Sequence, residues 1–205
     1  QVNSKIGMTF ANGLRSILRQ DPDVVMVGEI RDIETAEMAV QASLTGHLVL
    51  STVHTNSAAS AITRLLDMGI ERYLLSSSVK GILAQRLVRK LCNNCKTEVE
   101  PTPAFLDQMQ VSKENAKMAC RAVGCLECKN TGYRGRTALY ELITITEEIK
   151  TLIHDGASEQ EIEAIAFKDA PRLSDSGREL VLTGVTTAEE VLRVAKLKEA
   201  KNASL

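Results

Sequence analysis

The chain has no tryptophan, and with three tyrosines and three phenylalanines its aromatic content is only 3%. Its core must therefore be built from Leu, Ile, Val, Ala and Met. No apolar run approaches the roughly 18 residues of a helical membrane span, and Gln1 to Lys5 lacks the pattern of a secretory leader. A membrane role is expected to run through protein partners. Basic residues are not in excess: the formal net charge is −1, which argues against a general nucleic-acid binder. No Gly-x-x-x-x-Gly-Lys-[Ser/Thr] segment occurs, and no glycine is followed by lysine. The amide-and-lysine cradle for nucleotide phosphates is thus missing from this chain. What remains is an ordinary soluble composition, 44% hydrophobic and 25% charged over 205 residues. That length suits one large core or two to three small modules.

The most informative stretch is Asp21-Pro-Asp-Val-Val-Met-Val-Gly-Glu-Ile-Arg-Asp32 with Thr45-Gly-His-Leu-Val-Leu-Ser-Thr-Val-His-Thr-Asn56. The run Val24 to Val27 predicts a strand buried on both faces of a parallel sheet. It ends in Gly28-Glu29, which puts a carboxylate at the carboxyl edge where open α/β sheets bind ligands. A second run, His47 to Val53, delivers Thr52, His54, Thr55 and Asn56 to the same edge. A carboxylate on one strand end beside an imidazole and hydroxyls on the next suits a Mg-nucleotide site. The bland alternative is a buried strand followed by a capped turn.

Residues 1 to about 90 read as alternating helices and buried strands. Phe10, Leu14, Ile17 and Leu18 form a helical stripe, with Arg15 and Arg19 four apart on one face. Ile33, Ala36, Val40 and Leu44 form a second. Asn56 is a candidate N-cap for a helix through Ile62, Leu65 and Leu66 that closes at Gly69. A further helix is expected over Tyr73 to Leu87. Residues 92 to 137 hold all five cysteines, with Pro101 and Pro103 in a polar insert between the pairs. From about Ala138 the pattern reads as mainly helical. Ser158 with Glu161 and Thr187 with Glu190 look like capping boxes, and Gly184 should end a helix near Leu182. The tail after Lys196 is expected to fray.

Cys92 and Cys95 form one Cys-x-x-Cys pair and Cys125 and Cys128 a second. Two such pairs with no secretory leader read as a closed tetrahedral structural zinc site, which leaves no position open for water. Two disulfides, an iron–sulfur cluster or buried free thiols are the alternatives. Cys120 is left over as a small buried hydrophobe. Arg15, Arg19, Arg31 and Arg64 are candidates for phosphate or intersubunit chemistry, because a guanidinium offsets the charge that develops during phosphoryl transfer. Arg19, four residues before Asp23, is the strongest of them; each is alternatively a surface or ion-paired residue. His54 is the candidate phosphate sensor, whereas His47 also reads as a structural histidine at a strand start. His154 reads as a helix cap.

These motifs resemble the Walker B segment and histidine box of the type II secretion ATPase E family (general secretion pathway protein E). The resemblance runs from about Gly7 to Val194. It includes Thr9-Phe10, Leu14-Arg15, Leu18-Arg19-Gln20, Leu44-Thr45-Gly46-His47 and Ala84-Gln85-Arg86-Leu87. It implies an α/β fold: the second half of a RecA-like core over 1–90, a tetracysteine zinc module over 91–137 and a C-terminal helical domain over 138–205. The family's P-loop and a further essential acid precede the position of Gln1, so the chain is expected to be a C-terminal fragment. The resemblance implies Mg2+ and ATP at Glu29, His54, Arg15 and Arg19, with Arg31, Thr52, His47 and Arg64 around the nucleotide or the subunit interface. It also places zinc on the four paired cysteines. The implied parent is a hexamer, cytoplasmic and peripheral to the inner membrane through secretion-platform proteins, which binds no nucleic acid and drives pseudopilus assembly and protein export. A type IV pilus assembly ATPase is the related alternative, and a non-catalytic zinc-stabilised interaction module the alternative of a different class.

Overall fold

The computed structural model describes residues 10–116 and 118–195. Thr9 and the tail after Lys196 lie outside the described residues. Two compact units emerge. One runs to Ile82 and includes Ile143–Asp169; the other comprises Leu83–Leu142 and the segment from Ala170.

The first unit opens with helix α1, Phe10–Ile17. Asp21 adopts a positive φ of 54°, which turns the chain into strand β1, Val24–Val27. Helix α2, Ile33–Leu44, starts at Asp32, whose carboxylate accepts the Thr35 N–H at 2.8 Å. That cap holds the Asp32 carboxyl below its ordinary range, through the backbone hydrogen bond from Thr35. Strand β2, Leu48–Ser51, then lies parallel to β1, with Val24 opposite Leu48 and Val27 opposite Ser51. A strand, crossover helix and parallel strand make one βαβ unit. Burial on both faces is not what β1 shows. Val25 and Val27 are buried, but Val24 and Met26 are exposed. Successive side chains point to opposite faces, and in this chain only one face is covered.

Helix α3, Ala58–Asp67, takes Ser57 rather than Asn56 as its N-cap. Ser57 and Ser60 exchange the two bonds of a capping box. Helix α4, Arg72–Ser78, stops short of the Leu87 that the sequence pattern predicts as its end, and residues Gly81–Leu91 form strand β3 instead. Ser76, Ser77 and Ser78 each turn a hydroxyl back onto the carbonyls of Tyr73 or Leu75, an interaction that weakens a helix from within. Helices α6, Glu147–Asp155, and α7, Glu159–Ala166, complete the unit by packing on α4 and α3 respectively. The expected Ser158–Glu161 capping box is present.

In the second unit, β3 pairs with strand β6, Tyr133–Thr144. Residues 138–144 are therefore strand, not helix. Leu139, Glu141 and Ile143 are buried while Tyr140 and Leu142 are exposed, a period of two that the helical reading overlooked. Strands β4, Thr97–Val99, and β5, Ala119–Arg121, make an antiparallel ribbon around helix α5, Pro103–Met109. Helices α8, Leu173–Leu182, and α9, Ala188–Val194, pack on each other, with Gly184 (φ 65°) ending α8's run as expected. Val88, Met109, Leu139, Val181 and Val191 form the core here. Among the described residues, α6 and α7 belong to the first unit and α8 and α9 to the second.

Thr187 makes no side-chain cap, so the second expected capping box is absent. Glu190 is drawn instead to Arg89, with Nη2 to Oε1 at 2.8 Å. That hydrogen bond outweighs the cost of burial and brings the Glu190 carboxyl down to about 2 from its usual 4.5. A depressed carboxylate stabilises the fold above its ordinary pKa and loses that contribution as pH falls through the folded value. Glu190→Gln should cost about 3 kcal/mol or more at neutral pH, because Arg89 loses a desolvated partner. Urea denaturation should show the difference from wild type shrinking between pH 4.5 and 2.

Candidate active site and candidate metal centre

The parallel register ends at Val27 and Ser51, so both strands deliver their next residues to one edge. Two bonds fasten that edge. Ile30 N–H donates to Thr52 O at 3.0 Å, and Thr52 Oγ1 donates to Gly28 O at 2.7 Å. Glu29 is held between them. Its Oε2 accepts from Arg31 Nε at 2.6 Å and lies 2.6 Å from Arg31 Nη2, and its Oε1 lies 3.0 Å from His54 Nε2. The Glu29 side chain is 20% exposed, whereas His54 and Arg31 are open to solvent at 87% and 76%. The Arg31 contact is a charge-assisted hydrogen bond to one carboxylate oxygen, which leaves the other to His54. Glu29, Arg31, His54 and Arg64 line an open groove of about 360 Å³ with Ile30, Val53 and Met68.

The other expected residues are placed elsewhere. Arg15 bonds Asn12 Oδ1 at 3.0 Å and lies 3.9 Å from Glu34, both exposed. Arg19 falls in the turn beyond α1, so the two arginines do not share a helix as the spacing predicts. His47 sits at the start of β2, roughly 16 Å from Thr52 at 3.3 Å per residue. Its Nδ1 meets Ala42 O at 3.0 Å and Thr45 Oγ1 at 3.2 Å, which closes the end of α2. That is the structural role open to it in the sequence.

The four paired cysteines converge. Their sulfurs all lie within 4.8 Å of one another, with Cys92–Cys125 at 3.9 Å and Cys95–Cys128 and Cys125–Cys128 at 3.8 Å. A tetrahedral ion with bonds of about 2.3 Å requires sulfurs about 3.8 Å apart. None of these pairs approaches the roughly 2.05 Å of a disulfide, and all five cysteines are free. The ribbon β4–β5 brings the pairs together, since Cys95 precedes β4 and Cys125 follows β5. Glycine is required twice at this turn. A Cβ on Gly124 (φ 113°) would come 2.9 Å from Asn130 O, and one on Gly132 (φ 77°) 2.6 Å from Ala122 Cβ.

Backbone amides face the sulfurs. Cys125 N–H and Gly132 N–H donate to Cys128 Sγ at 3.1 and 3.2 Å, and Gly124 N–H to Cys95 Sγ at 3.3 Å. Burial opposes the Cys128 thiolate, yet these donors bring its pKa to about 6. At Cys125, Asn94 Nδ2 and the neighbouring backbone lower the thiol in the same direction. Burial prevails at Cys95, which is pushed up to about 11. A bound cation would reverse that penalty. The donor set and its spacing thus fit a divalent ion with four thiolate ligands. Cys120 stands apart, in β5, where a Cβ on Gly184 would lie 2.8 Å from its sulfur; Cys120→Ser should leave metal content unchanged. Asn94, Arg89, Tyr133 and Glu190 went unnoticed or were read otherwise in the sequence; the only signal was the acid at position 190, which mimics a cap.

Solved structures share this fold. The pilus retraction motor PilT with bound ADP superposes with a TM-score of 0.66 at 28% identity, over 94% of this chain and 46% of that one. The Legionella pneumophila ATPase DotB gives 0.62 at 19% identity, over 92% and 43%. The chain thus shares the α/β fold of these two solved ATPases. The family model described as Type II/IV secretion system protein matches residues 1–193, and the chain belongs to that family. It is 60% identical over 196 residues to the type II secretion system protein E of Pseudomonas aeruginosa, covering 96% of this chain and 39% of that protein. The type II secretion system ATPase E of Vibrio cholerae is 54% identical over 199 residues, again 96% and 39%. The chain thus spans about two fifths of the length of these relatives.

Proposed function

We propose that this chain is the C-terminal part of a hexameric secretion motor with a RecA-like core. The whole protein hydrolyses ATP to drive pseudopilus assembly and protein export. The observation that carries this reading is the Glu29 carboxylate at the carboxyl edge of two parallel strands, engaged on both oxygens by His54 and Arg31. Glu29 would help hold the Mg2+ ion and position the attacking water. One carboxylate is what a Mg2+ ion takes when phosphates and waters supply the rest, so the residue fits as one ligand and not as a full site. His54, whose imidazole is exposed beside Glu29, would offer it to the γ-phosphate. Thr52 commits its hydroxyl to Gly28 O and braces the strand ends that hold the pair. Arg64 and Arg31 supply cationic charge along the groove, and Arg15 and Arg19 serve a neighbouring subunit from the surface around α1.

Residues 91–137 act as a zinc-stabilised module, in which zinc supplies a fourfold cross-link between two turns. The motor works at the cytoplasmic side of the inner membrane and reaches it through platform proteins, without nucleic acid. Among the described residues no helix is long and apolar enough to cross a membrane. The secretion branch is favoured over the pilus branch by identities of 60% and 54% against 28%.

Lacking the phosphate cradle, the 205-residue chain should neither hydrolyse ATP above background nor bind it at micromolar concentration, whereas the longer protein should do both. Calorimetry with Mg-ATP decides this; micromolar affinity for the chain alone would show that phosphate binding does not need the cradle.

A further inference from the structure

The second compact unit buries a carboxylate that the nucleotide chemistry does not use. The side chain of Glu190 is 4% exposed. Its Oε1 accepts from Arg89 Nη2 at 2.8 Å, and its Oε2 accepts from the Arg89 backbone N–H at 2.9 Å and from Arg193 Nη2 at 3.2 Å. The Arg89 guanidinium lies over the Tyr133 ring, 4.1 Å from its centroid. The Tyr133 hydroxyl meets Thr187 Oγ1 at 3.0 Å, and Thr186 Oγ1 donates to Arg89 O at 2.8 Å. Tyr133 directly follows Gly132, which is tied twice to the thiolate cluster. Gly132 N–H donates to Cys128 Sγ at 3.2 Å, and Gly132 O accepts from Cys92 N–H at 2.9 Å. Short contacts therefore run without a gap from the Cys128 sulfur and the Cys92 backbone to the first turn of α9.

The geometry points to Tyr133, Arg89 and Glu190 as a coupling that transmits occupancy of the tetracysteine site to the docking of α9. It rests on the metal reading above for its input, but none of the three residues is a metal ligand. With the four sulfurs drawn together, Cys92 and Cys128 fix Gly132 from both sides, and Tyr133 becomes a rigid floor for the guanidinium. A guanidinium restrained on a ring gives up little further freedom when it forks to a carboxylate. Without that floor Arg89, half-exposed at 51%, turns to water. Glu190 is left buried with fewer partners, which favours opening of the helix that carries it.

Hydrogen exchange over residues 188–194 of the 205-residue chain tests this, before and after zinc removal by a chelator, in wild type, Tyr133→Leu and Arg89→Lys. Zinc removal should speed α9 exchange in wild type by roughly five- to thirty-fold, the range for losing 1–2 kcal/mol. Tyr133→Leu should exchange that fast with one zinc per chain still bound, and chelation should add little. Arg89→Lys keeps the charge but loses the stacked fork; it should behave alike, and it carries the test if the leucine variant does not fold. Protection in α2 and α6 reports on the fold of the other unit. The proposal is overturned if zinc removal loosens residues 92–95 and 125–132 but leaves α9 unchanged, or if both variants exchange like wild type. A chain that binds no metal fails the metal reading and this proposal together; one that binds zinc without the transfer fails this proposal alone.

Discussion

In a full-length secretion ATPase built with this segment, as proposed above, Glu29→Gln is expected to lower ATP turnover by about two to three orders of magnitude while nucleotide affinity changes little. Glutamine keeps the volume of the side chain and can still accept from Arg31, but it removes the negative charge at the strand edge. Electrostatic groups aimed at developing charge act in the transition state more than in the ground state, so the loss belongs in kcat. Comparison of steady-state turnover with equilibrium nucleotide binding reads the two apart. An equal loss of binding would assign Glu29 to holding the fold through Arg31 and His54. Arg31→Ala gives a useful contrast, since it leaves the carboxylate charged and engaged on one side by His54, 3.0 Å away.

Cys95→Ser is expected to lower bound zinc from one per chain to near zero and to unfold residues 92–137 locally. Structural zinc contributes about 10–16 kcal/mol of apparent binding free energy in small modules, against roughly 1 kcal/mol for an ordinary hydrogen bond. Few contacts offset that loss in this segment. The ribbon β4–β5 has three residues per strand, and α5 is seven residues long. Metal analysis and hydrogen exchange measure both effects. Protection over Val24 to Val53 should persist, because those strands and α2 belong to the other compact unit. Unchanged zinc stoichiometry would remove Cys95 from the ligand set, and equal loss of protection across Val24 to Val53 would make the cluster integral to the unit that carries those strands.

Much of this molecule is legible in the chain itself. The Val24–Val27 run, the acid that follows it and the two Cys-x-x-Cys pairs are local patterns whose physics needs no distant partner. A four-residue apolar run ends where its polar neighbour begins, and a two-residue gap between cysteines makes a chelating turn wherever it occurs. Burial of α1's Leu14, the Ser158–Glu161 capping box and the stop at Gly184 were readable for the same reason.

The errors fall where sequence-distant contacts decide. Residues Gly81–Leu91 and 138–144 contain many good helix formers, yet they pair with each other as β3 and β6, and a partner some fifty residues away outweighs propensities of a few tenths of a kcal/mol per residue. Glu190 sits where a capping acid belongs but answers to Arg89, 101 residues earlier. For Arg31 and His47 the sequence leaves two roles open; in the fold Arg31 pairs with Glu29, and His47 Nδ1 meets the Ala42 carbonyl. Residue types and spacing determined which chemistry this chain can hold: a strand-edge acid, an imidazole and four thiolates. Tertiary structure alone decided which of its cations meet that acid, because a side chain's partner is set by where the sheet and helices carry it, and those positions depend on pairings that no local window contains.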